Sequence, residues 1–138
     1  MRLYLDTSAY AKRYLGEPGA LRVMDLLGQA DEIILSSLTL LEMVSALSRY
    51  VKDASLHRDD YTLFKKQLLR DLGTMEIISI SEDIISETLP CIERGAFRAL
   101  DAIHLATAKR ADCDLFLTAD QRQYQMAVSL GIKAELAI

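Results

Sequence analysis

The sequence predicts a three-layer α/β/α domain with a mainly parallel central sheet covered by helices on both faces. Three observations carry that prediction. Short apolar runs alternate with helix-periodic segments along the chain, which implies parallel strands buried on both sides. The 138 residues are 51% apolar and 26% charged, the range of one compact domain that closes a core without disulfides or structural metal. No repeat, low-complexity tract or linker divides them, so residues 1–138 are expected to form a single unit.

Arg2 to Leu5 reads as the first strand, and Asp6-Thr7-Ser8 offers capping oxygens for a short helix that Gly16 ends. Pro18 suits the first turn of a second helix running toward Leu27, with Gly28 as its stop. Ile33 to Leu35 is a buried strand. From Thr39 the apolar positions Leu40, Met43, Val44 and Leu47 recur at helical spacing, predicting a long helix to about Lys52. A further helix covers Asp59 to Leu72, stopped by Gly73, and leads to a strand at Glu76 to Ile80. After Ser81 the pattern turns helical again, and Pro90 is expected to end or kink that helix. Phe97 to Arg110 reads as helix, Leu115 to Leu117 as strand, and Gln121 to Leu130 as helix before Gly131.

Sixteen Lys and Arg against twenty Asp and Glu give a net charge of −4, which excludes a globally basic nucleic-acid coat and makes any contact with phosphates local. Cys91 and Cys113 are far apart and form no metal-ligand spacing, so both are read as free, mostly buried thiols. The chain shows no leader-like start. Its longest apolar stretch, Ile33 to Leu41, is interrupted by Ser36, Ser37 and Thr39, so a cytoplasmic protein with no membrane partner is expected.

Ligands of parallel α/β sheets collect outside the carboxyl ends of the strands. Asp6 follows the first strand directly and Asp120 follows the Leu115 strand after Thr118-Ala119, which assigns both to that edge. Glu42 is expected in the first turn of the helix after Ile33 to Leu35, and Asp101 near the start of the helix leading into the fourth strand. Each acid alone has a structural account. Asp6 and Asp120 serve as helix caps, Thr39-Leu40-Leu41-Glu42 fits a capping box, and Asp101 pairs with Arg98. Together they converge on one cleft, where two carboxylates about 4 Å apart repel by roughly 4 kcal/mol at an effective dielectric near 20. A cation relieves that repulsion, and an all-oxygen donor set selects hard ions such as Mg²⁺ or Mn²⁺.

In order along the chain, the segments are Leu3-Tyr4-Leu5-Asp6-Thr7-Ser8-Ala9, Glu17-Pro18-Gly19, Ser37-Leu38-Thr39-Leu40-Leu41-Glu42 with Ser45-Ala46-Leu47, Arg98-Ala99-Leu100-Asp101-Ala102-Ile103-His104-Leu105-Ala106 and Phe116-Leu117-Thr118-Ala119-Asp120. Nearly the whole chain thereby resembles a PIN-domain ribonuclease, most closely a VapC-type toxin of a toxin–antitoxin pair. The resemblance implies a PIN-like fold, with Asp6, Glu42, Asp101 and Asp120 as catalytic, metal-binding acids and Thr118 as their polar neighbour. It implies Mg²⁺- or Mn²⁺-dependent hydrolysis of an RNA phosphodiester, in tRNA or ribosomal RNA, to a 5′-phosphate and a 3′-hydroxyl. It also implies a VapB-type antitoxin partner, a homodimer and a toxin–antitoxin hetero-oligomer.

Within that reaction Asp6 is the first choice as central ligand, and Asp101 and Asp120 complete the site directly or through water. Glu42 either ligates or orients the attacking water. Thr7, Ser8 and Thr118 fix the carboxylates by hydrogen bonds, with helix capping as the alternative. His104, three residues after Asp101, reads as a packed core histidine, with a donor to the site as the alternative. Of the basic residues Lys12, Arg13, Arg94, Arg98, Lys109, Arg110 and Arg122, Arg98 and Arg122 are favoured as substrate contacts because each is close in sequence to a proposed ligand. Tyr4, Tyr10, Tyr14 and Tyr50 are read as packing residues rather than base-stacking platforms. The competing function is a PIN-fold RNA- or protein-binding module without catalysis.

Overall fold

The computed structural model describes residues 1–95 and 98–138. Among the described residues the order is β1 (Arg2–Leu5), α1 (Thr7–Leu15), α2 (Ala20–Gln29), β2 (Glu32–Ser36), α3 (Ser37–Lys52), α4 (Arg58–Leu72), β3 (Glu76–Ile78), α5 (Glu82–Glu93), α6 (Ala99–Arg110), β4 (Leu115–Thr118), α7 (Gln121–Ser129) and β5 (Ala134–Leu136). The strands form one sheet in the order β3-β2-β1-β4-β5, every pair parallel. Strand order therefore reverses between β1 and β4, and in parallel α/β sheets ligands bind outside the carboxyl ends of the strands at such a point.

Alternation along the strands divides the core into two layers, because successive side chains of a strand face opposite sides. Leu3, Leu5, Leu35, Leu115 and Leu117 pack with Ala9, Tyr10, Val23, Met43 and Leu68 on the α1 to α4 side. Tyr4, Ile34 and Phe116 pack with Leu105, Ala108 and Ala127 on the α6 and α7 side. In the second layer the Tyr4 and Phe116 rings stack at 5.5 Å, directly paired in register across β1 and β4. Helix α5 lies against α6, where Arg110 bonds to Asp83 and Glu87.

Several expected boundaries move. Pro18 precedes α2 rather than entering its first turn, since Gly19 at φ 90° caps the helix. Gly28 lies inside α2, which continues to Gln29. Helix α3 starts at Ser37, capped by the Ser36 hydroxyl accepting from the Leu38 N–H. Consequently Glu42 is in the second turn and Thr39 opens no capping box; its hydroxyl is buried without a partner among the described residues. Pro90 is accommodated inside α5, three residues before the end. The strand predicted to Ile80 stops at Ile78, and β5 has no counterpart in the predicted elements. The predicted helix start at Phe97 lies outside the described residues, and α6 is helical from Ala99. Cys91 is buried, Cys113 is partly buried, and both are free. No helix among the described residues is long and apolar enough to cross a membrane.

Candidate active site

Asp6 leaves β1 with its N–H bonded to the Leu117 carbonyl and becomes the N-cap of α1. Its carboxylate is 4% exposed and fully engaged on one oxygen. Oδ1 accepts from the Ala9 N–H at 3.0 Å and the Ser8 hydroxyl at 2.7 Å, while Oδ2 accepts from the Thr118 hydroxyl. Thr118 is the joint between two acids, because its Oγ1 also accepts the Asp120 N–H at 3.1 Å. Ser8 reinforces it by accepting the Ala119 N–H at 2.9 Å. Burial pushes the Asp6 carboxyl up, against the opposing effects of His104, Thr118, Ser8 and Ala9.

Asp120 caps α7, its Oδ1 accepting from the Arg122 and Gln123 N–H groups. Gln123 then reaches across to α6, its Nε2 donating to the Asp101 carbonyl at 2.9 Å. The Asp101 carboxyl is raised by burial and next by the neighbouring Asp120, with a smaller push from Glu42, while Arg98 and His104 act against them. Among the described residues Arg98 forms no ion pair with Asp101, so the simple helix-pair account of that acid does not hold.

Glu42 joins from α3. Its Oε1 accepts from the Thr7 hydroxyl at 2.7 Å and bonds with His104 Nε2 at 2.7 Å. Burial raises this carboxyl, but the His104 and Thr7 hydrogen bonds outweigh it and hold Glu42 below its ordinary range. His104 is 2% exposed, and its Nδ1 bonds with the Tyr4 hydroxyl at 2.8 Å. An ionised carboxylate only accepts, so His104 Nε2 donates to Glu42 while Nδ1 pairs with the Tyr4 hydroxyl. His104 is thus both a core histidine and a donor to the site. Sequence reasoning gives Tyr4 a packing role alone; the structure adds its hydroxyl as the anchor behind His104.

Two hydrogen-bonded groups therefore stand at the carboxyl edge, Asp6, Thr118, Asp120 and Gln123 with the Asp101 main-chain carbonyl, and Thr7 and His104 with Glu42; they meet only where Asp6 and Thr7 are neighbours in the chain. Among the described residues, Glu42 Oε2, both Asp101 oxygens and Asp120 Oδ2 accept no hydrogen bond. These donors suit a hard divalent ion in kind. As placed, no three His, Cys, Asp or Glu side chains among the described residues are disposed to hold one ion. An ion held here through one or two carboxylates would keep several of its waters.

A family model described as PIN domain matches residues 3–129. The chain belongs to the PIN domain family. Its fold matches solved structures across nearly their whole length. FitAcB from Neisseria gonorrhoeae is 18% identical at a TM-score of 0.76, with 96% of this chain and 95% of that one covered. VapC20 from Mycobacterium tuberculosis, described as a sarcin-ricin loop cleaving toxin, is 14% identical at 0.70, with 94% and 95% covered. A toxin–antitoxin complex from Klebsiella pneumoniae is 20% identical at 0.67, with 88% and 89% covered. At such identities the likeness is one of fold. No curated protein matches the sequence. Asp6, Glu42, Asp101 and Asp120 all come from segments inside the matched range.

Proposed function

We propose that this PIN domain, acting as one unit over residues 1–138, is a metal-dependent endoribonuclease toxin of a VapBC-type pair. One observation carries the reading. The Thr118 hydroxyl ties the carboxylate after β1 to the backbone of Asp120 after β4, so two acids from distant segments meet where strand order reverses. Asp6, Asp101, Asp120 and Glu42 are the residues that would hold Mg²⁺ or Mn²⁺. When bound, the ion activates water near neutral pH and offsets charge on the phosphate.

The protein supplies the rest. Ser8 and Thr118 keep Asp6 from rotating, Thr7 and His104 fix one oxygen of Glu42, and the other oxygen is left to orient water. Water attacks phosphorus, the P–O3′ bond breaks, and the departing oxygen takes a proton, leaving a 5′-phosphate and a 3′-hydroxyl. Arg98 and Arg122 flank the acids and hold neighbouring phosphates. The substrate is tRNA or ribosomal RNA, the setting is the cytoplasm, and activity is restrained by a VapB-type antitoxin on a homodimer, in a toxin–antitoxin hetero-oligomer. The fold neighbours that are toxin–antitoxin complexes, and VapC20 as a sarcin-ricin loop cleaving toxin, support this reading.

The alternative is a PIN-fold module that binds RNA or protein without cutting, and the lack of three ion-holding side chains as placed, among the described residues, favours it. Incubating the protein with total tRNA and ribosomal RNA, with Mg²⁺ or with a chelator, decides between them. Cleavage is expected only with the metal, and Asp6→Asn should lower it by roughly a thousandfold or more while the fold persists. RNA left intact in every tube would establish the binding module instead.

A further inference from the structure

Two clefts open on the α6 and α7 side of the molecule. The first, about 270 Å³, starts beside the acids at Asp101 and is flanked by Arg98 and Arg122. Its floor is braced by Gln123, whose bond to the Asp101 carbonyl fixes the spacing of α6 and α7. The second, about 370 Å³, lies between α5 and α6 and is flanked by Arg94 and Lys109. Ser129 lines the first and Leu130 the second, so the two clefts adjoin at the end of α7.

The charge along this path is unbalanced. Arg94, Arg98, Lys109 and Arg122 are all exposed, and none makes an ion pair among the described residues. Arg110, by contrast, is neutralised by Glu87 at 2.6 Å and Asp83 at 3.1 Å, which also uses up the carboxylate on the second cleft's wall. Arg94 and Lys109 line the second cleft together with Cys91, and both oppose the burial that pushes its thiol up. Arg98 and Lys109 bracket α6, about 16 Å apart along the helix axis. A stacked strand rises about 3.4 Å per phosphate, so that length spans four or five.

Resting on the nuclease reading above, we propose that these adjoining clefts are the path of the RNA strand beyond the cut, with backbone phosphates on Arg98 and Arg122 first and on Arg94 and Lys109 next. A row of unpaired cations on an acidic protein suits a repeating anion, and its continuity with the acids ties the occupant to the strand that is cleaved. Cations that grip phosphates in this way hold the backbone and carry no base preference.

The test uses Asp6→Asn as a common background, so that RNA stays intact, with Mg²⁺ held constant. A fluorescein-labelled single-stranded RNA of about 15 nucleotides is titrated by anisotropy between about 50 and 200 mM KCl. Each phosphate of a single strand that is deprived of its cation lowers the slope of log K against log salt by about 0.7. The double variants Arg98→Gln/Arg122→Gln and Arg94→Gln/Lys109→Gln are each expected to lower it by about 1.4 and to weaken binding at least about tenfold at low salt. Lys65→Gln/Lys66→Gln on α4, on the opposite face of the sheet, should leave both unchanged. Equal slopes in parent and groove variants, no salt-dependent binding at all, or an equal loss from the α4 pair would overturn the path. So would variants that lose affinity for labelled polyglutamate but not for RNA, which would assign the cations to an acidic peptide. Failure of the wild-type chain to cut RNA while the groove slopes fall would remove the nuclease reading and leave the path standing. Cleavage with unchanged slopes would do the reverse.

Discussion

His104 shows how one buried side chain sets the state of another. Its two nitrogens are committed, Nδ1 to Tyr4 and Nε2 to Glu42, in a pocket closed to water. Removing it strands the buried tyrosine hydroxyl and leaves Glu42 Oε1 with the Thr7 hydroxyl alone, and a buried polar group left without a partner costs about 1–3 kcal/mol, with the lost bond to a charged group adding to it. His104→Leu is therefore expected to lower unfolding free energy in urea by about 3 kcal/mol, and Tyr4→Phe by only about 1 kcal/mol, because the latter leaves the Glu42 bond intact. Equal losses from the two would show that the imidazole serves packing alone. The acids are legible in the sequence because each stands at a strand end or near a helix start, where topology dictates its address. The role of Tyr4 is not, since its partner is a hundred residues away and only the alternation of β1 reveals which face its hydroxyl occupies.

At the scale of elements, most strands and helices are readable from periodicity, and the departures share a cause. Local propensity makes breakers of Gly28 and Pro90, yet both sit inside helices held by packing on their other faces. Pro90 is exposed and so is Ser86 four residues back, so the carbonyl without a donor faces solvent and the last turn survives. Strand β5 escapes because three half-buried edge residues carry no alternation to detect. The glycine that matters in α2 is Gly19, at φ 90°, where an added Cβ would lie 2.6 Å from the Ala137 carbonyl oxygen beside β5. Gly28, in contrast, has open space at that position. Gly19→Ala is expected to destabilise by at least about 2 kcal/mol through strain and a looser approach of α2 to the chain end. Gly28→Ala should stabilise by about 0.5–1 kcal/mol. Urea titrations of the pair read both signs, and a stabilising Gly19→Ala would mean that α2 is free to move away from β5.

For the molecule as a whole, the acid edge is a liability in the absence of a cation. Burial and the neighbouring Asp120 raise the Asp101 carboxyl, and burial raises Asp6, so both bind protons more tightly folded than unfolded. With a folded pKa above the unfolded one, the destabilisation is full at neutral pH and fades as pH falls through the raised value. Asp101→Asn should then raise the metal-free melting temperature at pH 7, by a free energy under about 1 kcal/mol since the side chain is half exposed, and gain less near pH 4. Mn²⁺ separates the two proteins by the size of its effect. An ion that binds only the folded state at about a hundredfold over its Kd adds about 2.7 kcal/mol, or roughly 10 °C for a chain of this size. The wild type is expected to gain that shift and Asp101→Asn to lose most of it, so the variant melts higher without metal and lower with it. Identical Mn²⁺ shifts in both proteins would mean that the ion binds away from the carboxyl edge, and that the repulsion stored there is relieved by protons alone.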